Sequence, residues 1–191
     1  GDYASALAHF AETLVIRRAI GNRNGIASSL NNLGNVATVQ GDYASAQAYL
    51  EETLVMRREF GERNGIARSL INLAMVASHQ DDYVSARTYL EESLTLLREI
   101  GDRTSIVAAL AGFADIALKE RGANRAAVLW AAAETLRQQL GAPMPPNERE
   151  GYDRNIAQVH QALDEEAFSA AWAIGTAMTL EQAMDYALQD P

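Results

Sequence analysis

The chain has 191 residues, 48% of them hydrophobic and 21% charged, with 13 glycines, 4 prolines and no cysteine, a composition that excludes collagen-like, disordered and disulfide-stapled proteins. Without cysteine there is no disulfide, thiolate nucleophile or Cys-ligated zinc. The net charge of −9 supplies no positive field for phosphates, and no segment reaches the roughly 18 apolar residues of a membrane span, so neither nucleic acid nor membrane is expected as a partner. Gly1-Asp2-Tyr3 is neither a signal peptide nor an initiator start, and the chain reads as a cytoplasmic fragment of something larger.

An internal repeat sets the architecture. Gly1-Asp2-Tyr3-Ala4-Ser5-Ala6 returns as Gly41-Asp42-Tyr43-Ala44-Ser45-Ala46 and, worn, as Asp81-Asp82-Tyr83-Val84-Ser85-Ala86. About 26 of 40 positions match between the first two units and about 17 of 40 between the second and third. A fourth unit from Arg121 keeps only the skeleton Ala126, Trp130 and Ala133.

In chain order, the first predicted element is a helix from Asp2 to Ile20, of a type called here second-type. Its Leu7, Phe10 and Leu14 want cover, from upstream sequence or from a second copy of the chain. Gly21 is placed for a left-handed helix end, and Asn24 is expected to cap the next helix, first-type, with Ile26, Leu30, Leu33 and Ala37 as its apolar stripe. Gly41 and Asp42 then open the next second-type helix, whose stripe is Tyr43, Ala46, Leu50 and Leu54. The pattern repeats through Gly61 with Asn64, Asp82, and Gly101 with Thr104; Asp2 is the matching cap in the first unit. Arg17-Arg18, Arg57-Arg58 and Arg98 fall in last turns, where cations suit the helix dipole, and are read as structural and not as a basic patch.

After about residue 140 the pattern changes. Gly141-Ala142-Pro143-Met144-Pro145-Pro146 is a break, and Asn147 with Glu150 predicts a capping-box start for a helix through about Leu163. A helix from Asp164 to about Ile174, stopped by Gly175, and another opened by Thr179 and Gln182 follow. Most of the net negative charge lies in this last quarter.

Leu30-x-x-Leu33-Gly34-x-x-Ala37 followed by Tyr43-x-x-Ala46-x-x-x-Leu50-x-x-Thr53 resembles the tetratricopeptide repeat. Leu70, Leu73, Ala74, Ala77, Tyr83, Ala86, Leu90 and Ser93 repeat the resemblance, as do Leu110, Phe113, Ala114, Ala117, Ala126, Trp130 and Ala133. The units run to about 40 residues against the family's usual 34. The resemblance implies an all-α fold, an α-solenoid of antiparallel helix hairpins, with repeats over residues 1–140 in units of about 1–40, 41–80, 81–120 and 121–140. Residues 141–191 would be a C-terminal helical cap. The run Trp130-Ala-Ala-Ala-Glu134 to Glu148, with Phe168, Trp172 and Thr179-Leu180-Glu181-Gln182-Ala183, is similar to the C-terminal end of helical-repeat regions in large bacterial signalling ATPases of the LuxR-type regulator kind.

Catalytic patterns are absent: there is no phosphate-binding glycine loop, HExxH or nucleophile elbow. His9, His79 and His160 stand apart, and adjacent carboxylates such as Glu51-Glu52 point about 100° apart on a helix, so neither metal ligation nor acid–base catalysis is expected. The expectation is a non-enzymatic module with no cofactor and no metal.

In stacked hairpins the first helix of each pair lines the concave face. Its outward positions are Ser28, Asn31, Asn32, Asn35 and Thr38, then Arg68, Ile71, Asn72, Met75 and Ser78, then Ala108, Ala111, Gly112, Asp115 and Leu118. Of these, Asn31, Asn32, Asn35, Arg68, Asn72, Met75, Ser78 and Asp115 are the candidate groove residues for a protein or peptide ligand. The tetratricopeptide resemblance implies that Asn32 and Asn72 bond an extended peptide's backbone, an amide offering both donor and acceptor; the alternative is that they bond only to neighbouring helices or water. At Gly112 that row stops. A homodimer through residues 1–20 is the rival use of the chain.

Overall fold

The computed structural model describes residues 3–189, apart from the side chain of Asn147. Its elements are the helices α1 (Tyr3–Ala19), α2 (Arg23–Gln40), α3 (Tyr43–Phe60), α4 (Arg63–His79), α5 (Tyr83–Ile100), α6 (Arg103–Lys119), α7 (Ala123–Gln139), α8 (Pro146–Ala162), α9 (Glu165–Ala177) and α10 (Leu180–Leu188). No strand occurs among the described residues, so the all-α expectation holds. The chain divides into two compact units, Gly1–Leu96 and Leu97–Pro191.

The connections between repeat helices are two- and three-residue turns. Gly41 and Gly61 adopt φ of +79° and +68°, a left-handed conformation that glycine enters without steric cost. Asp81 and Arg121 take the same conformation at φ of +60° and +66°, where a side chain costs about 1 kcal/mol. Asp42 and Asp82 cap as expected, their Oδ1 atoms accepting the backbone N–H of Ser45 and Ser85 at 3.1 Å. Asp2 lies outside the described residues. The first-type helices begin earlier than the predicted caps Asn24, Asn64 and Thr104. Asn22 Oδ1 accepts from Gly25 N at 2.9 Å and Asp102 Oδ1 from Ser105 N at 3.1 Å, while Glu62 in the same place makes no side-chain capping bond. One left-handed residue is enough to reverse the chain, so the residue directly after it becomes the cap.

Within the first unit the core repeats with the period of the sequence. Leu14, Leu30 and Leu33 form one cluster, into which α3 inserts Tyr49 and Met56. Leu54, Leu70 and Leu73, their counterparts 40 residues on, belong to the next, into which α5 inserts Tyr89 and Leu96. A Cβ on Gly34 would lie 2.7 Å from Leu50 Cγ, so this glycine allows α2 and α3 their close approach. The arginine pairs are structural, by more than the helix dipole. Arg17 Nη1 donates to Gly25 O and Ser29 Oγ at 2.8 Å, and Arg57 Nη1 repeats both bonds with Gly65 O and Ser69 Oγ, tying a second-type helix to the helix that follows. Arg18 and Arg58 bridge successive second-type helices through Glu52 at 2.8 Å and Glu92 at 2.5 Å.

In the second unit α7 is buried along most of its length, from Ala126 to Ala133 and at Leu136. Helix α8 starts at Pro146 with Pro145 in the cap position, two residues ahead of the expected cap Asn147, whose side chain lies outside the described set. Gly175 does not stop α9, which continues to Ala177. A Cβ there would lie 2.1 Å from Val128 O and 2.7 Å from Ala131 Cβ, so Gly175 is where α9 meets the backbone of α7. The Thr179–Gln182 capping box forms as expected. Arg98 holds Asp185 at 2.5 Å, and Arg125 donates to the carbonyls of Tyr186, Ala187 and Gln189 at 2.6–3.0 Å, closing the end of α10.

Candidate peptide-binding surface

Helices α2 and α4 present the predicted groove positions of the first unit. Their short turns and buried leucines turn Leu30, Leu33, Leu70 and Leu73 inward, leaving the offset positions on the opposite side. Asn72 Nδ2 donates to Asn31 Oδ1 at 3.3 Å, so two of the candidate asparagines join the two helices. Asn32 is half-buried beside them. Asn35 Oδ1 is buried and makes no hydrogen bond, an acceptor left with its desolvation cost unrelieved. Met75 is 43% exposed, Ser78 is half-buried, and Arg68 is exposed at the start of α4. Thr38 is turned away: it is buried and donates to Gly34 O within its own helix at 2.8 Å.

Of the predicted groove positions of this unit, only Arg68 carries a charge. Burial, and secondarily the like charge of Arg68, holds the Arg57 guanidinium below its ordinary pKa, while Glu62 opposes the shift. The Arg57 bonds to Gly65 O and Ser69 Oγ at 2.8 Å account for that guanidinium as a structural one, leaving Arg68 to face solvent.

Asp115 belongs to the second unit. Its Oδ1 accepts from Asn155 Nδ2 of α8 at 2.8 Å, and burial pushes its pKa up to about 6 against the pull of Asn155 and Lys119. Asn155 was not among the predicted site residues. It is the tenth residue of α8 as Asn72 is of α4, and each donates to the polar residue of an earlier first-type helix. The repeat spacing hides this, because the proline-rich break offsets α8 from the 40-residue period.

The remaining polar clusters are structural. His79 stacks on Tyr43 with ring centroids 5.1 Å apart, His160 lies 3.8 Å from Phe168, and His9 lies 6.2 Å from Phe10. Glu51 accepts from Gln47, and Glu52 and Glu92 bind arginines. Among the described residues no cluster of three potential metal ligands occurs, and no helix is long and apolar enough to cross a membrane.

The face of α1 expected to lie open is also redistributed. Leu14 is buried, and Leu7 and Phe10 pack on the cluster shared with α2. The most exposed large apolar residues here are Val15 and Ile16 on α1 and Ile20 just past its end, at 68%, 55% and 69%.

A family model described as tetratricopeptide repeat matches residues 1–59 and, overlapping, residues 26–99. No curated protein matches the chain.

Proposed function

Because the chain belongs to the tetratricopeptide repeat family, whose repeats make protein–protein interaction modules and generally non-catalytic scaffolds, we propose that the surface of α2 and α4 binds an extended peptide segment of a partner protein. The observation that carries this reading is the row of side-chain amides: Asn32 beside the Asn31–Asn72 pair, with the unpaired acceptor Asn35 Oδ1 on the same helix. A peptide backbone offers an N–H and a C=O at each residue, and an amide side chain answers both without reading the peptide's side chains. Arg68 adds a cation that favours a peptide with an acidic residue, and Met75 and Ser78 give the surface an adaptable apolar edge.

The finer reading is that this module serves as the sensor or coupling arm of a larger bacterial signalling regulator, with residues 141–191 as its terminal cap. The spaced run from Trp130 through Trp172 to Ala183 supports it. The buried Ala171, Gly175, Ala183 and Met184 of that run, on α9 and α10, are consistent with a cap.

Asn32 is the residue to change, because Asn72 also bonds Asn31 and its loss would mix binding with stability. Peptides selected from a displayed random library on the wild-type chain are expected to bind Asn32→Ala roughly five- to tenfold more weakly, the worth of about one hydrogen bond, with an unchanged melting temperature. Unaltered binding by all selected peptides would overturn the reading.

A further inference from the structure

A small pocket of about 40 Å³ opens in the first unit where α3, the end of α4 and the start of α5 meet. Its floor is Leu73, Val76 and Ala77, which belong to the buried side of α4 and not to the side that carries Asn72 and Met75. Its polar rim takes Gln47 from α3, Asp82 from the turn and Tyr89 from α5. Room on this scale admits a few water molecules or the tip of one side chain.

The rim offers acceptors in a negative field. Gln47 Nε2 donates to Glu51 Oε1 at 2.8 Å, which brings that carboxylate beside the pocket. Asp82 Oδ1 accepts the backbone N–H of Ser85 at 3.1 Å, a bond that holds the carboxylate in place and leaves it lone pairs to spare. Burial raises the pKa of the Tyr89 phenol, and the charges of Glu51, Asp82 and Glu92 push it the same way against Arg58. Arg58 itself is held by Glu92 at 2.5 Å.

The repeat supplies a comparison inside the chain. One period earlier the floor recurs as Leu33, Val36 and Ala37, with Asp42 and Tyr49, but the place of Gln47 is taken by Leu7, which packs on the Leu14–Leu30–Leu33 cluster. One period later Gln47 becomes Arg87, Asp82 becomes Gly122 and Tyr89 becomes Leu129. The three rim residues thus stand together at one place in the repeats.

We propose that this pocket takes the ammonium end of a lysine side chain from a partner protein. An ammonium is a compact head with three donors, which suits acceptors supplied from three sides, and the methylene next to it meets the apolar floor. A guanidinium donates in a planar fork and asks for a flatter site, while a carboxylate would face Asp82 and Glu51 at like charge. The pocket holds one head, which selects a lysine over a free polyamine. The inference goes beyond the peptide surface of α2 and α4 and does not depend on it.

The test is an amide-resolved NMR titration of the full chain with Nα-acetyl-lysine methylamide, with its uncharged norleucine counterpart, and with the free diamine putrescine. The lysine probe is expected to shift the Gln47 side-chain amide and the backbone amides of 82–89 saturably, and the norleucine probe to bind at least about fivefold more weakly, the worth of one charged hydrogen bond. Gln47→Leu installs the residue found at this place one unit earlier. It is expected to weaken the lysine probe by about fivefold or more with an unchanged melting temperature. Asp82→Asn keeps a capping side chain of the kind that Asn22 gives α2, and is expected to lose a similar factor. Shifts that do not saturate, equal binding of the lysine and norleucine probes, or unaltered binding by Gln47→Leu would overturn the proposal. So would tighter binding of putrescine than of the lysine probe, which would give the site to a free amine.

Discussion

Single residues in this chain often do a different job from the one their type suggests, and Asp115 is the clearest case. A carboxylate on a first-type helix reads as groove charge, but the structure places it against α8, bonded to Asn155 at 2.8 Å with its pKa pushed up to about 6. A raised folded pKa means that ionisation opposes folding: the group costs nothing below its ordinary value of 3.8, and its penalty is complete above about 6. Asp115→Asn keeps an acceptor for Asn155 and removes the charge. The variant is expected to gain up to about 3 kcal/mol over wild type at pH 7 and almost nothing at pH 4, read from urea midpoints across that range. The caps Asp42 and Asp82 run the other way. Their pKa values are lowered by the Ser45 and Ser85 bonds, so their contribution is present above the ordinary carboxylate range and fades as pH falls. Asp42 and Asp82 were legible from the sequence because a cap depends on local spacing alone. Asn155 was not, since the proline break starts α8 three residues past the 40-residue period that places α4 and α6, so the repeat does not mark it as the counterpart of Asn72.

At the scale of elements, the helices were predictable and their contacts only partly so. Alternating stripes of leucine and alanine locate α2 to α7, and the turns between them follow from Gly41, Gly61 and the capping aspartates. The α9 boundary was misjudged because a helical glycine is ambiguous in sequence: it can end a helix or admit a neighbour. Two glycines separate these roles experimentally. Gly175→Ala drives a methyl into Val128 O, 2.1 Å away, and backbone cannot yield cheaply, so a loss of more than about 2 kcal/mol and release of α9 are expected. Gly151→Ala, in α8 with nothing within 4 Å of the new methyl, is expected to gain about 0.5–1 kcal/mol from helix propensity. Thermal unfolding of the two variants with matched circular dichroism distinguishes them. The α1 face belongs here too. Sequence alone identified an unpartnered helix but assigned the exposure to Leu7, Phe10 and Leu14, the stripe that α2 covers. A helix in this fold has one face for its hairpin partner and another for the preceding unit, and a single apolar stripe does not say which is which.

For the whole molecule the informative quantity is the period. The leucine clusters, the arginine bridges and the bonds from Thr53 and Ser93 all recur in step, so removal of one complete unit should leave every remaining seat filled. Deletion of residues 41–80 is expected to give a chain of unchanged helicity per residue that unfolds cooperatively at a lower temperature, with Arg18 now meeting Glu92. Deletion of 34 residues from Gly41 onward, the usual length of the family's unit, puts Glu92 about 120° off its arginine and is expected to destroy cooperative unfolding of the first unit. Both outcomes are read from thermal melts followed by circular dichroism.

The same recurrence sets a problem for the chain as it folds. Glu92 matches Glu52 as a partner for Arg18, and Leu96 stands where Met56 does in the period, so a form with α3 and α4 looped out would keep counterparts for most of the bonds of the correct one. What distinguishes the two is the cost of the idle loop and the small drift between units: Thr53 becomes Ser93, Met56 becomes Leu96, and Gly41 becomes Asp81. Divergence among the copies thus works as an address, telling each helix which of several equivalent places is its own.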